Sequence, residues 1–323
     1  VLGDAVRKTL EDRKREYRII YELVDSKPRI NVKDVASILD SDRHSTSNRL
    51  KEAFTLGYVL KPQVRKRSYQ NMKEYMYFLQ CENPLDTFEK YRNDETVVYQ
   101  AVMGGPTNLW MITTKERDVD GSIMVKGLRS DYYVACAPEV TWEDSIAKIH
   151  TKISQFDPEL YYPQKRIQTH WNEFIQWDEE DEKLFDAFQY NLRRKLTPIM
   201  KENLISGEKI YKWFDRLNET CTMYTQFFPE GIGNYDPYVL VVDTHYEDFV
   251  IDLFSQFPTS TLFFRVQDHL FCYLSVRKAC LKKIAGPIKS IEDLKIPFIL
   301  RILNQKGYIS TWWYSSLEYY CHR

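Results

Sequence analysis

A shift of 164 residues lays one half of this sequence on the other. Arg29 falls on Arg193, Val35 on Ile199, Asp42 on Ser206, Thr46 on Ile210, Leu50 on Phe214 and Ala53 on Leu217. The matched positions are a helix cap followed by apolar residues at steps of four and three, so the repeated unit is helical. A chain with such a repeat must build two similar units and bury the face that each leaves open. Its 323 residues suffice for two or more domains, each with its own core.

The first copy is the easier to read. Asn31 caps a short helix that buries Val32, Val35, Ala36 and Leu39. Asp42 caps the next, with Thr46, Leu50 and Ala53 inward and Gly57 as its terminator. The outward face holds Arg43, His44, Ser45, Ser47, Asn48, Arg49 and Lys51, all cationic or hydrogen-bonding. Such a face suits the second helix of a helix-turn-helix, which enters the major groove. Tyr58 to Leu60, the Lys61-Pro62 turn and Arg65-Lys66-Arg67 follow as a basic wing. From Val1 to Gln70 there are sixteen Lys or Arg against ten Asp or Glu, while the whole chain carries a net charge of −1. Charge gathered on one segment of a neutral chain is the footprint of phosphate binding. A helical hairpin with a solvated charged face is the plainer reading of the same residues.

Along the chain, Arg7 to Val24 reads as a helix ahead of the helix-turn-helix. Glu74 to Cys81 is a strand, Asn83 to Tyr91 a helix, and Glu95 to Met103 with Asn108 to Thr114 a hairpin turning at Gly104-Gly105-Pro106. Ile123 to Ala135 adds strand, and Trp142 to Phe156 is an amphipathic helix. The plan then recurs: helices from Glu179, Thr197 and Ser206, a strand at Tyr238 to Thr244, and a helix at Tyr246 to Phe257. The strands Leu262 to Val266 and Leu270 to Val276, a helix at Ile291 to Asn304 and a strand at Tyr308 to Tyr314 complete it. The expected fold is α+β: two copies of a winged helix-turn-helix, each followed by a ferredoxin-like α/β sandwich. The expected boundaries are 1–70, 71–157, a linker at 158–177, a degenerate helix-turn-helix at 178–228 and a second ferredoxin-like domain at 229–323.

The second copy differs electrically. Asp178 to Phe228 holds eight Lys or Arg and ten Asp or Glu, Trp213 stands where Arg49 was, and Glu208 lies on the would-be reading face. We expect a packing or dimerisation surface there.

These residues resemble the Lrp/AsnC, or feast/famine, family of transcriptional regulators. In the second copy the likeness lies in Asp178 to Leu184, in Leu192-Arg193-Arg194-Lys195-Leu196, and in Ser206 with Ile210, Phe214 and Leu217. In the first it lies in Asp42, Arg49, Leu50 and Ala53, then Gly57-Tyr58-Val59. The resemblance covers most of the chain as two fused copies, whereas members of the family usually carry one per chain. It implies a DNA-binding regulator that acts as a homodimer. It also implies a small-molecule effector site near the hairpin turn, at Gly104, Gly105 and Pro106, although Gly-Gly-Pro is equally an ordinary tight turn.

The expected activity is therefore regulation on double-stranded DNA. Arg43, His44, Ser45, Ser47 and Asn48 would meet base edges, and Arg49, Lys51, Arg65, Lys66 and Arg67 would meet phosphates. A second hypothesis is an enzyme: the sirohaem decarboxylases share this two-part architecture and bind a tetrapyrrole in the effector-like domain. Asn108-Leu109-Trp110 resembles their hairpin, but Tyr99-Gln100-Ala101-Val102 stands where a His-Asn-Tyr run should precede it. A ligand-sensing scaffold without DNA binding is a third. Six histidines show no catalytic or metal-binding spacing, six cysteines lack the short spacing of a zinc or redox pair, and Cys321-His322 alone offers two such groups side by side. Accordingly no catalytic residue, metal or cofactor is expected, and the chain is read as non-enzymatic. With neither a bilayer-length apolar run nor a signal-peptide pattern, a cytoplasmic protein that does not span a membrane is expected. Tyr99, Trp110, Tyr132, Phe264, Tyr273, Trp312 and Trp313 are either ligand-pocket or sheet-core aromatics.

Overall fold

The computed structural model describes residues 9–279, 282–283, 286–287 and 289–322. Arg7 and Lys8, expected at the start of the first helix, and Cys280 lie outside the described residues, as do the side chains of Cys321 and His322. The chain forms two compact units, and each draws on both copies of the repeat. Unit one holds residues 1–64, 178–217 and 223–234; unit two holds 65–177, 218–222 and 235–323.

Unit one pairs the two helix-turn-helices. Helix α1 (Leu10–Ser26) starts in a capping box between Thr9 and Asp12 and buries Tyr17, Ile20, Tyr21 and Val24 at helical spacing. Helix α2 (Val32–Ile38) is capped by Asn31, and α3 (Arg43–Thr55) by Asp42, whose carboxylate accepts from the His44 and Ser45 amides at 2.9 Å. The second copy supplies α6 (Glu179–Phe188), α7 (Leu196–Asn203) and α8 (Gly207–Asp215). Thr197-Pro198, expected to open α7, lies just inside it instead. The turn between the paired helices passes through a left-handed residue in each copy, Asp40 at φ 45° and Leu204 at φ 57°. Beyond α3, the first wing does not fold back on itself. The Leu60 amide donates to Gln226 O at 2.9 Å and the Phe228 amide to Tyr58 O at 2.8 Å, so the two copies' wing segments pair with each other. Strand β1 (Gln63–Lys66) continues this by pairing with β7 (Cys221–Tyr224), which the single-turn helix α9 (Leu217–Thr220) precedes.

Unit two is built on one nine-stranded sheet. The first copy gives β2 (Tyr75–Gln80), α4 (Pro84–Tyr91), β3 (Val97–Gly104), β4 (Leu109–Thr113), β5 (Ser122–Leu128), β6 (Tyr133–Ala135) and α5 (Trp142–Gln155). The second gives β8 (Tyr235–Asp243), α10 (Glu247–Phe254), β9 (Thr261–Val266) and β10 (His269–Arg277). After the short pair β11 (Lys282–Lys283) and β12 (Gly286–Pro287) come α11 (Ser290–Asp293), α12 (Ile296–Gln305) and β13 (Thr311–His322). A single helix was expected over Ile291 to Asn304; Lys295, left-handed at φ 57°, divides it.

The strand order is β5-β2-β4-β3-β13-β8-β10-β9-β6, two antiparallel ferredoxin-like sets of four side by side with β6 added at the end. The join is β13, which pairs with β8 along its first half and with β3 along its second. At the far ends, Arg129, just past β5, bridges Val266 of β9. The Ser130 amide donates to Arg265 O at 2.9 Å, and the Arg265 amide to Ser130 Oγ at 2.7 Å. The two edges thus come together and the sheet has an inner and an outer face. Alternation sorts the side chains: Tyr77, Leu79, Leu109 and Met111 lie in a core with Phe88 and Tyr91 of α4, while Phe78 and Trp110 face inward. Each fully buried aromatic or aliphatic side chain contributes roughly 1.5–3 kcal/mol by leaving water.

The segment expected as a linker lies against unit two. Asp248 accepts the backbone amides of Gln164, Lys165 and Arg166 at 2.6, 3.0 and 3.2 Å, and the Gln70 amide donates to Glu173 O. Among the described residues no helix is long and apolar enough to cross a membrane.

Candidate functional site

Two places carry chemistry. The first is α3, where Arg43, His44, Ser45, Ser47, Asn48 and Lys51 are exposed along a helix whose opposite side, Thr46, Leu50 and Ala53, is buried. His44 and Asn48 touch, at 3.2 Å. Arg49 is placed differently: its Nε lies 2.6 Å from Glu16 and its guanidinium pairs with Glu52, beside the Tyr17 ring. In the second copy Trp213, expected outward, is buried against Phe188 at 5.6 Å between ring centroids. The register explains both: this position of the helix faces the first helix of its own copy. The basic residues after the turn belong to unit two and are partly buried. Lys66 lies over the Trp177 ring, and Arg67 is 3.6 Å from Asp131.

The second place is the inner face of the closed sheet. Phe78 stacks on Trp110 and Phe271 at 5.3 and 4.5 Å, and Phe264 on Phe271 at 5.0 Å. Trp110 meets Tyr99 edge-on at 4.7 Å, Tyr132 meets Phe264 at 5.4 Å, and Trp313 approaches Phe78 at 6.2 Å. Phe78 and Phe271 are fully buried, yet Tyr99, Tyr273 and Trp313, on strands inside the sheet, keep part of their surface accessible. Burial pushes the Tyr99 hydroxyl well above the usual tyrosine range; the neighbouring Tyr273, Tyr132 and Tyr320 add to this, and Arg65 opposes it. Tyr99, Tyr273 and Trp313 thus give the inner face partly accessible aromatic surface.

Six of the seven aromatics singled out in the sequence thus share one face. Trp312 does not; it stacks on Tyr314 at 6.4 Å. Phe78 and Phe271 went unrecognised because each lies in a continuous apolar run, where alternation gives no sign of which face is which. Arg65, a phosphate contact in the sequence reading, acts electrostatically on Tyr99.

The remaining sequence candidates are accounted for locally. The turn Gly104-Gly105-Pro106 lies against β13: a Cβ on Gly105, at φ 152°, would come within 2.8 Å of Tyr314 O. Its glycines are therefore explained by close packing. His269 pairs with Asp243, and His245 is exposed. Among the described residues no three His, Cys, Asp or Glu gather as a metal site. A surface groove of about 570 Å³ beside α10 is floored by Phe156 and Phe249, and its buried acid, Asp248, already serves three backbone amides.

No family model matches the sequence, and no curated protein matches it. Among solved structures, the siroheme decarboxylase NirDL is similar over 96% of this chain and 91% of that one, at 11% identity and a TM-score of 0.49. NirDL in co-complex with an iron-uroporphyrin III analogue is similar over 95% and 92%, at 10% identity and a TM-score of 0.48. Both are structures of an enzyme, whereas the chain was expected to be non-enzymatic; that expectation is withdrawn. The likeness concerns the fold and transfers no residue's role. The fold is α+β as expected: two winged helix-turn-helices, and two ferredoxin-like sets of strands in one sheet.

Proposed function

We propose that the chain binds a flat, conjugated, carboxylate-bearing ring of the tetrapyrrole class on the inner face of unit two and acts on it as an enzyme. The observation that carries this is the accessible surface of Tyr99, Tyr273 and Trp313 within a closed sheet. Aromatic rings offer a conjugated ligand stacking area at small conformational cost. A tyrosine whose hydroxyl stays protonated at neutral pH donates a hydrogen bond to a carboxylate, and Arg65 supplies a cation nearby. The activity to assay is the one for which the similar fold is named. In a decarboxylation a C–C bond breaks, its electron pair stays on carbon and takes a proton, and CO₂ leaves. Incubation with siroheme followed by mass spectrometry tests this. Loss of CO₂ from wild type but not from Tyr99→Leu supports the reading; unaltered substrate with unaltered spectrum contradicts it.

A second reading, DNA binding by the first helix-turn-helix, is favoured by the exposed row Arg43, His44, Ser45, Ser47, Asn48 and Lys51 on α3. It would use two chains on a roughly palindromic double-stranded site. Binding that falls steeply with salt and is lost in Arg43→Ala/Lys51→Ala supports it; no binding at low salt removes it.

A further inference from the structure

Trp110 occupies the middle of β4, with Phe78 opposite it on β2 and Ala101 on β3. Its ring lies between Tyr99, at 4.7 Å, and Phe264, at 6.0 Å, on the inner face. The side chain is 5% exposed, and among the described residues no acceptor is in hydrogen-bond reach of its Nε1. Buried donors in native proteins are nearly always paired, because an unpaired one forfeits its hydration with nothing in return. Trp142 and Trp213 share the unpaired indole, but Trp142 packs on Phe257 and Trp213 on Phe188, both fully buried. Of the three, Trp110 is the one on the inner face of the sheet, where the partly accessible Tyr99 meets it edge-on.

We propose that Trp110 sets the specificity of this interior: its indole N–H donates to an acceptor, a carboxylate oxygen, on the ligand seated against Tyr99. The inference rests on the tetrapyrrole reading and adds to it a requirement for an acidic group at the buried end. A polycarboxylate ring is then preferred over the same ring with its acids masked. Phenylalanine at this position keeps the stacking area and removes only the donor.

The test is a pair of titrations, iron-uroporphyrin III and its methyl ester, into wild type and Trp110→Phe. The indole N–H resonance of Trp110 in ¹⁵N-labelled wild type is followed in parallel, so the answer does not depend on the variant folding. The expected result is a downfield shift of that resonance with the acid, and an affinity lower by about tenfold or more in Trp110→Phe for the acid but not the ester. Saturable binding of the acid with the resonance unmoved, or with equal affinity in a folded Trp110→Phe, overturns the donor role and leaves the binding reading standing. No binding of either compound to wild type overturns both.

Discussion

Arg29 and Arg193 hold each other's loops. Arg29 donates to the carbonyls of Leu192 and Arg194, and Arg193 donates to those of Pro28 and Ile30, at 2.8 and 2.9 Å. Each arginine thus takes the two carbonyls that flank the other. The four carbonyls are related by the same 164-residue shift as the arginines, so the duplicated sequence has folded into an internal pseudo-two-fold pair. Burial lowers both guanidinium pKa values, and the positive Arg29 lowers that of Arg193 further.

Removing either arginine should loosen unit one unequally. Arg193 is the less exposed of the two, so Arg193→Ala strands its carbonyl partners with less access to water. We expect a loss of about 1–2 kcal/mol for Arg193→Ala and a smaller loss for Arg29→Ala. Urea unfolding of both single variants and the double variant checks this; equal and additive losses would contradict a reciprocal clasp.

Leu204 predicts the opposite sign. It is left-handed, at φ 57°, and 90% exposed, so its side chain gains little from packing. Leu204→Gly should raise stability by about 0.5–1 kcal/mol, measurable as a higher thermal midpoint. A lower midpoint would mean that the side chain makes a contact the fold depends on.

Acid should weaken unit two at Asp94. The Thr96 hydroxyl and Arg117 hold this carboxyl down to about 2. A depressed carboxyl stabilises the fold fully above its unfolded pKa of about 3.9 and loses that contribution as pH falls toward 2. Asp94→Asn should flatten the stability curve between those limits and leave little difference at pH 2. An unchanged acid limb would show that the pair contributes nothing.

The duplication, the caps at Asn31, Asp42 and Ser206 and the ferredoxin-like order were legible because they depend on local spacing and cap chemistry. What joins the halves was not. The last strand was expected to end near Tyr314, but it runs to His322 because its second half pairs with β3, a partner more than 200 residues away. Local pattern carries no trace of such a partner. The same limit hid the inner face: Tyr99, Trp110, Phe264 and Tyr273 were visible as aromatics, but only closure of the sheet at Arg129 and Val266 puts them together. Arg49 reads from sequence as a phosphate contact or as an ion pair to an acidic residue of the first helix of the motif; the acid that meets its Nε, Glu16, lies on α1, out of reach of local spacing.

The central claim, a ring-binding interior in unit two, is tested most directly by adding iron-uroporphyrin III to the purified chain and following its visible absorption together with tryptophan emission. The account predicts a spectral shift that saturates at about one equivalent per chain, with emission quenched as the ligand lies against Trp110 and Trp313. A spectrum unchanged by excess protein, or a change that never saturates, would contradict it.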